Sequence, residues 1–581
     1  MAARASGGSV NKDWLRALKL TARINETPEV VLADVFDEIV RASPDAPALL
    51  SGTQTFTFRE LAERSLRYAH WGLGEGLRKG DAVALVMEGG PEYIAIWLGL
   101  SRLGVVTALI NNNLTGASLA HCIRIATPRV ILCSQRFQHA CTEVQADCGG
   151  ARLVVCDHAF SERLQSQPAA SLEGATMRPT LRDHALYIYT SGTTGLPKAA
   201  IVSHRRIMNW ALWFRGLIDV TPQDRMYDCL PLYHSVGGVV AIWATLLGGG
   251  SVVLRERFSA SGFWPDIVSY ECTLFQYIGE LCRYLTHAAP CPEETRHRLR
   301  MAVGNGLRPE VWPVFQKRFA VPRILEFYAA TESNFSLYNV EGEAGSIGRI
   351  PAFLGASQSV RLVKYDPESD LPLRGSDGFC VACGPDEPGE AIGRIANDFE
   401  GYLDRAASER KILRDVFETG DAWMRSGDLM RKDARGFFFF VDRVGDSFRW
   451  KGENVSTAEV AQAIAAYPGV CDLAVYGVEI PGCDGRAGMA AIVADAAFDL
   501  AGLYPHLAAR LPAYARPVFL RLAPELKSTE TFKYRKQELA GEGFDPRRVL
   551  DPVFFASSKG SIYTALDLAL YEQIIGGAVA L

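Results

Sequence analysis

The stretch Tyr189-Thr190-Ser191-Gly192-Thr193-Thr194-Gly195-Leu196-Pro197-Lys198 closes the apolar run Tyr187-Ile188-Tyr189 and turns it into a loop. The loop holds two glycines, four aliphatic hydroxyls and one lysine. Glycines let backbone N–H groups approach an oxyanion closely, and hydroxyls add further donors. Lysine supplies a compact positive charge. Thr190, Ser191, Gly192, Thr193, Thr194, Gly195 and Lys198 are therefore candidate ligands of a polyphosphate. The loop is not a P-loop, which requires G-x-x-x-x-G-K-[ST]; Lys198 stands three residues after Gly195. A polar surface loop is the plain alternative. The density of these residue types directly behind a strand argues against it.

Working outward from this loop, strands and helices alternate on its N-terminal side. Ala48-Leu49-Leu50 and Thr55-Phe56-Thr57-Phe58, around Ser51-Gly52, predict a hairpin. Strands are expected at 81–87, 105–110, 129–133 and 152–156, with a helix at 91–103. Such alternation predicts an α/β protein with a mostly parallel sheet. Between 346 and 440, short strand-like pieces separated by Gly, Pro and Asp predict a small β-rich subdomain. After Asp442 the pattern is helix 457–466, strands 472–478 and 489–493, helix 500–511 and strand 518–522, a smaller α+β domain. Residues 1–28 mix Gly, Ser, Lys and Arg and read as a loosely held, flexible arm. The uncharged run 236–254 is nearly long enough to span a bilayer. Gly248-Gly249-Gly250 interrupts it and predicts a buried helix, a turn and a strand instead.

Of the 581 residues, 48% are hydrophobic and 22% charged, which excludes disordered, collagen-like and disulfide-scaffold classes. Against 61 Lys+Arg stand 66 Asp+Glu, a net charge of −5. With no basic stripe, no nucleic-acid partner is expected. The 13 cysteines are odd in number, and residues 1–30 contain no apolar run of the kind a secretory leader needs. Reduced thiols in a cytoplasmic compartment are the expectation. Cys380 and Cys383 form a lone C-x-x-C without two more ligands nearby, and read as a plain turn.

Residues 190–198 match throughout the pattern [ST]-S-G-[ST]-T-G-x-P-K, and here the chain resembles the adenylate-forming superfamily. That superfamily includes acyl-CoA synthetases, luciferases and the adenylation domains of peptide synthetases. Further matches follow in order. Tyr328-Ala329-Ala330-Thr331-Glu332 is similar to Y-G-x-T-E, and Ser426-Gly427-Asp428 to T-G-D. Asp442-Arg443 stands where two domains of such enzymes join, and Lys533 matches the lysine of a C-terminal T-x-T-G-K. The run from Gly445 to Thr457, GDSFRWKGENVST, resembles the signature of fatty acid transport proteins, also called very-long-chain acyl-CoA synthetases. So do Pro512-Ala513-Tyr514-Ala515-Arg516-Pro517 and Glu542-Gly543-Phe544-Asp545-Pro546.

The resemblance implies an ATP-dependent fatty acid:CoA ligase with a large N-terminal adenylation domain at 29–442 and a mobile C-terminal domain at 443–581. A carboxylate leaves no good leaving group until it is joined to AMP. Such transfers depend on positioning and charge stabilisation. The resemblance implies that Thr190 to Lys198 cradles the β- and γ-phosphates and that Thr331 contacts the α-phosphate. Glu332 would bind Mg²⁺, Asp428 the ribose, and Arg443 the nucleotide. Tyr328 would stack near adenine, with Gly304, Asn305 and Gly306 as part of the adenine wall. Lys533 would bridge the acyl carboxylate and the α-phosphate.

In the second half-reaction the CoA thiol attacks the acyl adenylate, after the C-terminal domain has turned. Arg449, Lys451 and Gly452 would then face the thioester site, with Gly445 as hinge. The acyl pocket is expected in the aromatic-rich region 210–277, with His234, Trp210 and Trp243 as candidates. Two alternatives stand beside this reading. One is a CoA ligase for a carnitine-like, bile-acid or aromatic carboxylate. The other is a fatty-acid uptake protein, acting by trapping the acid as its CoA ester. Fatty acid, ATP and CoA are the implied partners. The expected location is cytoplasmic, with peripheral contact on the inner face of a membrane and the oligomeric state both left open.

Overall fold

The strand His184–Thr190 lies second from the edge of a six-stranded sheet. In spatial order this sheet runs Arg152–Cys156, Val130–Ser134, Ala82–Val86, Val106–Leu109, His184–Thr190 and Lys198–Ser203. Neighbours are parallel except the last pair, a hairpin. The strands Ala82–Val86, Val106–Leu109 and Val130–Ser134 are buried at every position, which is why they read as unbroken apolar runs. The computed structural model describes residues 10–579 other than 53, 173, 175–176, 191–195, 355–359, 367–368, 370, 396–398, 452, 484, 528–535 and 557–561.

These residues divide into two compact units, Met1–Gly348 with Ile395–Lys411, and Arg349–Arg394 with Ile412–Leu581. The first unit holds a second sheet. Its inner strands, Pro47–Leu50, Ser251–Leu254, Arg225–Asp228, Leu274–Ile278, Met301–Asn305 and Ile324–Ala329, are parallel in that order. Thr55–Thr57 and Ser336–Asn339 pair antiparallel on either side of these strands. The run 236–254 is a buried π-helical turn (Val236–Ala241), a short helix (Ile242–Leu246), a glycine turn and the strand Ser251–Leu254. Among the described residues no helix is long and apolar enough to cross a membrane.

One expectation is corrected. Residues Val10–Glu26 of the supposed arm form a helix. Trp14, Ala17 and Ile24 are buried along one face of it. Trp14 meets Trp213 and Tyr338 edge-on, with centroids 5.9 and 5.8 Å apart. The buried Asp13 accepts from Arg323 at 2.8 Å. Average composition had hidden an apolar stripe of only a few residues.

In the second unit, Val360–Val363, Gly389–Arg394, Ala422–Lys432 and Phe437–Arg443 form an antiparallel sheet, with Ile412–Arg414 also paired to Ala422–Lys432. After a hairpin (Phe448–Trp450 and Glu453–Val455) comes a five-stranded sheet, Val470–Glu479, Arg486–Ala494, Phe519–Leu522, Val553–Phe555 and Thr564–Ala565. Helices Thr457–Ala465 and Leu500–Ala508 cover it over a core that includes Ile464, Val475, Met489, Leu503 and Phe519. The functional boundary expected at 442/443 falls inside this second unit.

Candidate active site

Thr190 and Lys198 are the closing pair of the hairpin formed by His184–Thr190 and Lys198–Ser203. Ser191, Gly192, Thr193, Thr194 and Gly195 lie outside the described residues. The outer edge of Lys198–Ser203 is paired by a distant segment. Ile201 N–H donates to Gly401 O at 3.0 Å and Leu403 N–H to Ala199 O at 2.9 Å. This delivers the buried Tyr402 to the base of the loop. The Lys198 ammonium stands 5.8 Å from the centroid of its ring. Glu332 and Thr190 lie near its phenol oxygen. Burial and the Glu332 charge push the phenol above its ordinary range, so it stays neutral.

Thr331 and Glu332 follow the C-terminal end of the strand Ile324–Ala329, the end where open α/β sheets bind ligands. Thr331 Oγ1 is 3.1 Å from Ser235 Oγ. Behind Glu332 lies Arg206, which donates to the Ser333 carbonyl and stands 3.9 Å from Glu400. Burial pulls its guanidinium below the ordinary value, while Glu400 and Glu332 oppose this. Glu400 in turn accepts from the Ser203 amide at 2.9 Å and from the Ser203 hydroxyl. Thr190, Lys198 and Glu332 thus meet around Tyr402, with Thr331 beside them. Tyr402, Arg206, Glu400 and Ser235 were not found from the sequence. Partners from about seventy to about two hundred residues away leave no local signature.

Among the described residues, no group of three or more His, Cys, Asp or Glu is arranged to hold a metal. The single carboxylate Glu332 beside the base of the loop does fit Mg²⁺, which binds through one or two carboxylates plus substrate phosphates and keeps its waters.

Gly304-Asn305-Gly306 ends the strand Met301–Asn305. A Cβ on Gly304 would lie 2.2 Å from the Tyr277 carbonyl oxygen, so the close approach of these strands needs glycine. The loop is held from below by Glu326, which is 1% exposed. One carboxyl oxygen accepts from the Gly306 and Leu307 amides and the other from the Tyr277 hydroxyl. Burial pushes Glu326 up to about 8 from its ordinary 4.5. Between those values the folded protein holds a proton that the unfolded chain has released. This group's contribution to stability is therefore full below about pH 4.5 and falls as pH rises to about 8. Glu326→Gln is expected to remove that decline, whose steepest slope is about 1.4 kcal/mol per pH unit. Thermal midpoints from pH 5 to pH 9 would test it; parallel profiles for the two proteins would disprove it. Tyr328 stacks on Phe335 at 5.8 Å.

In the second unit, Asp428 and Arg443 are register partners on neighbouring strands, with Arg443 Nε 3.6 Å from the buried Asp428 carboxylate. The turn before Asp428 is held by Glu390, fully buried, which takes two bonds from Arg425 Nε at 2.9 and 3.0 Å and one from Gly427 N–H at 3.2 Å. Asp442 accepts from the Thr457 amide at 2.6 Å and the Thr457 hydroxyl at 3.1 Å, anchoring the helix Thr457–Ala465. Gly445 follows with φ +86°. Lys536 Nζ is 3.0 Å from both Asp446 and Thr457 Oγ1. Arg449 lies in the hairpin strand Phe448–Trp450, and Lys451 at its turn has its ammonium 5.8 Å from the Trp450 ring. Gly452 and Lys533 lie outside the described residues.

Of the three acyl-pocket candidates, Trp210 is half-buried beneath the Arg206 guanidinium at 5.3 Å. His234 packs on Tyr233 at 4.6 Å, and its carbonyl accepts from Gly238 at the π-helical turn. Trp243 is fully buried between Trp97 and Phe36, at 5.1 and 5.7 Å. That surrounding makes it a core residue.

A family model for AMP-binding enzyme matches residues 36–403, and one for AMP-binding enzyme C-terminal domain matches 459–533. Fold and site thus define an AMP-binding enzyme. Long-chain fatty acid transport protein 1 of Mus musculus is 41% identical over 94% of this chain and 88% of its own length. Long-chain fatty acid transport protein 6 of Homo sapiens is 38% identical over 95% and 91%. The chain belongs to the family of long-chain fatty acid transport proteins. Among solved structures, ATP-bound MatB from Rhodopseudomonas palustris has the same fold, with TM-score 0.76 at 23% identity over 88% of this chain and 98% of that one. A Mycobacterium tuberculosis fatty acyl CoA synthetase aligns with TM-score 0.64 at 22% identity, over 88% and 98%.

Proposed function

We propose that this protein is an AMP-forming ligase that joins a long- or very-long-chain fatty acid to CoA through an acyl adenylate. The observation that carries the reading is the juxtaposition of Thr190, Lys198 and Glu332 around one buried tyrosine, in a chain about 40% identical to fatty acid transport proteins over nearly its whole length. ATP is the nucleotide that AMP-binding enzymes of this class consume. Thr190, Lys198 and the loop between them hold its terminal phosphates. Thr331 hydrogen-bonds the α-phosphate. Asp428 takes the ribose hydroxyls, with Arg443 beside it. Glu332 would hold Mg²⁺, which when bound supplies positive charge to the departing pyrophosphate. Lys533 offsets negative charge where carboxylate and α-phosphate meet. The residues after Asp442, with Arg449, Lys451 and Gly452, then serve the thioester step.

Free thiols throughout the described residues support a reducing, cytoplasmic setting, and a lipid substrate supports peripheral contact with the inner face of a membrane. The test is pyrophosphate release across fatty acids of increasing length, with and without CoA. Release that rises with long-chain acids, and an acyl-CoA product only when CoA is present, is the expected result. If no fatty acid stimulates release, the substrate assignment fails.

A further inference from the structure

We infer that His121 is a positioning residue of the phosphate site, fixing the peptide from which the Lys198 side chain springs. The inference rests on the proposed function in one respect, that Lys198 serves the terminal phosphates of ATP. His121 lies on the helix Gly116–Ile125, and its Nε2 is 3.0 Å from the Pro197 carbonyl oxygen. A carbonyl only accepts, so Nε2 carries the proton and donates it. The peptide unit is planar, so holding its oxygen also orients the Lys198 amide nitrogen in the same plane. The proline ring already fixes φ of residue 197 at about −65°, and the His121 bond settles the remaining torsion, ψ. Neither soft dihedral of the residue before Lys198 is left free. That matters because a lysine has a flexible four-carbon stem and places its charge only as well as its Cα is placed.

The same helix holds the other arm of the hairpin. The buried Tyr189 donates its hydroxyl to the Cys122 carbonyl at 2.7 Å. Cys122 stands in the last turn of the helix, where carbonyls lack an intrahelical donor. Leu119, Ala120, Cys122 and Ile123 pack in one core with Tyr189 and Ala199. Two consecutive residues, 121 and 122, therefore grip the two strand ends that carry Thr190 and Lys198, which are register partners. The apolar contacts set the distance between helix and hairpin, and the two directional bonds set how one lies along the other. His121 is itself only half-buried, so packing does not demand an imidazole there. What the ring supplies is a donor at the Pro197 oxygen.

Calorimetric titration of the full-length protein in Mg²⁺, with ATP and separately with AMP, tests the inference without any fatty acid. AMP lacks the terminal phosphates and serves as the internal control. His121→Leu is expected to weaken ATP about three- to tenfold, the usual worth of one hydrogen bond, and to leave AMP unchanged. His121→Gln can present an amide N–H near the place of Nε2 and is expected to bind ATP like the wild type. His121→Asn, one bond shorter, is expected to behave like His121→Leu. Wild-type ATP affinity in His121→Leu, an equal loss for ATP and AMP, or equal ATP affinities in the Gln and Asn variants overturns the inference. If His121→Leu does not fold, the Gln and Asn variants decide. If the wild type binds AMP but gains nothing from the terminal phosphates of ATP, the phosphate-site reading fails and this inference with it. ATP binding without pyrophosphate release on addition of any fatty acid overturns the substrate reading alone, and the His121 comparison still stands.

Discussion

Lys533→Ala is expected to lower fatty acyl-adenylate formation by about 10²–10³-fold, the usual cost of removing one group that stabilises developing charge. The carboxylate and the α-phosphate are both anions, and the in-line attack forces them together. A single cation at that point favours the transition state more than either separate reactant. In the proposed arrangement Lys198 serves other phosphates of the same nucleotide and would not replace it. The loss belongs to one half-reaction. With acyl adenylate supplied ready-made, Lys533→Ala should still transfer the acyl group to CoA at close to the wild-type rate. Pyrophosphate release without CoA measures the first step, and thioester formation from added acyl adenylate measures the second. Full adenylation by the variant would remove Lys533 from the reaction. The same variant separates two meanings of fatty-acid uptake. Uptake abolished with adenylation means that the acid is trapped as its CoA ester; uptake retained means that the protein carries the acid by another route.

How much of this was legible in the sequence follows from the range of each interaction. The parallel sheets were legible because strands such as Ala82–Val86 are buried on both faces and read as unbroken apolar runs. The loop 190–198 stands out in the sequence because its residue types are contiguous. The helix Val10–Glu26 was not, because three buried residues on one face are lost in a Lys- and Arg-rich average. Tyr402, Glu326 and Glu390 were not, because each acquires its role only when a distant partner arrives: Glu332 for the first, Tyr277 for the second and Arg425 for the third. Aromatic richness in 210–277 could not separate core from pocket. Trp243 lies between Phe36 and Trp97, both far upstream.

Gly445→Pro is expected to split the two half-reactions, leaving adenylation within a few-fold of wild type and slowing thioester formation by about a hundredfold, as mispositioning in a reacting site does. Gly445 sits at φ +86°, a region that proline, fixed near −65°, cannot enter. A Cβ at this position would meet nothing within 4 Å, so the requirement is conformational and not steric. The surrounding turn is tied at both ends. Val444 N–H donates to Gly427 O at 2.9 Å beside Asp428, and Asp442 is fixed to Thr457. Lys536, bonded to Asp446 and Thr457, links this turn to the segment that follows Lys533. A change of φ at 445 therefore redirects the groups on which the proposed domain turn depends. Retained adenylation with lost thioester formation assigns the left-handed turn described here to the thioester-forming arrangement. The reverse pattern assigns it to adenylation. Equal loss in both steps, measured separately at an unchanged thermal midpoint, removes Gly445 as the pivot.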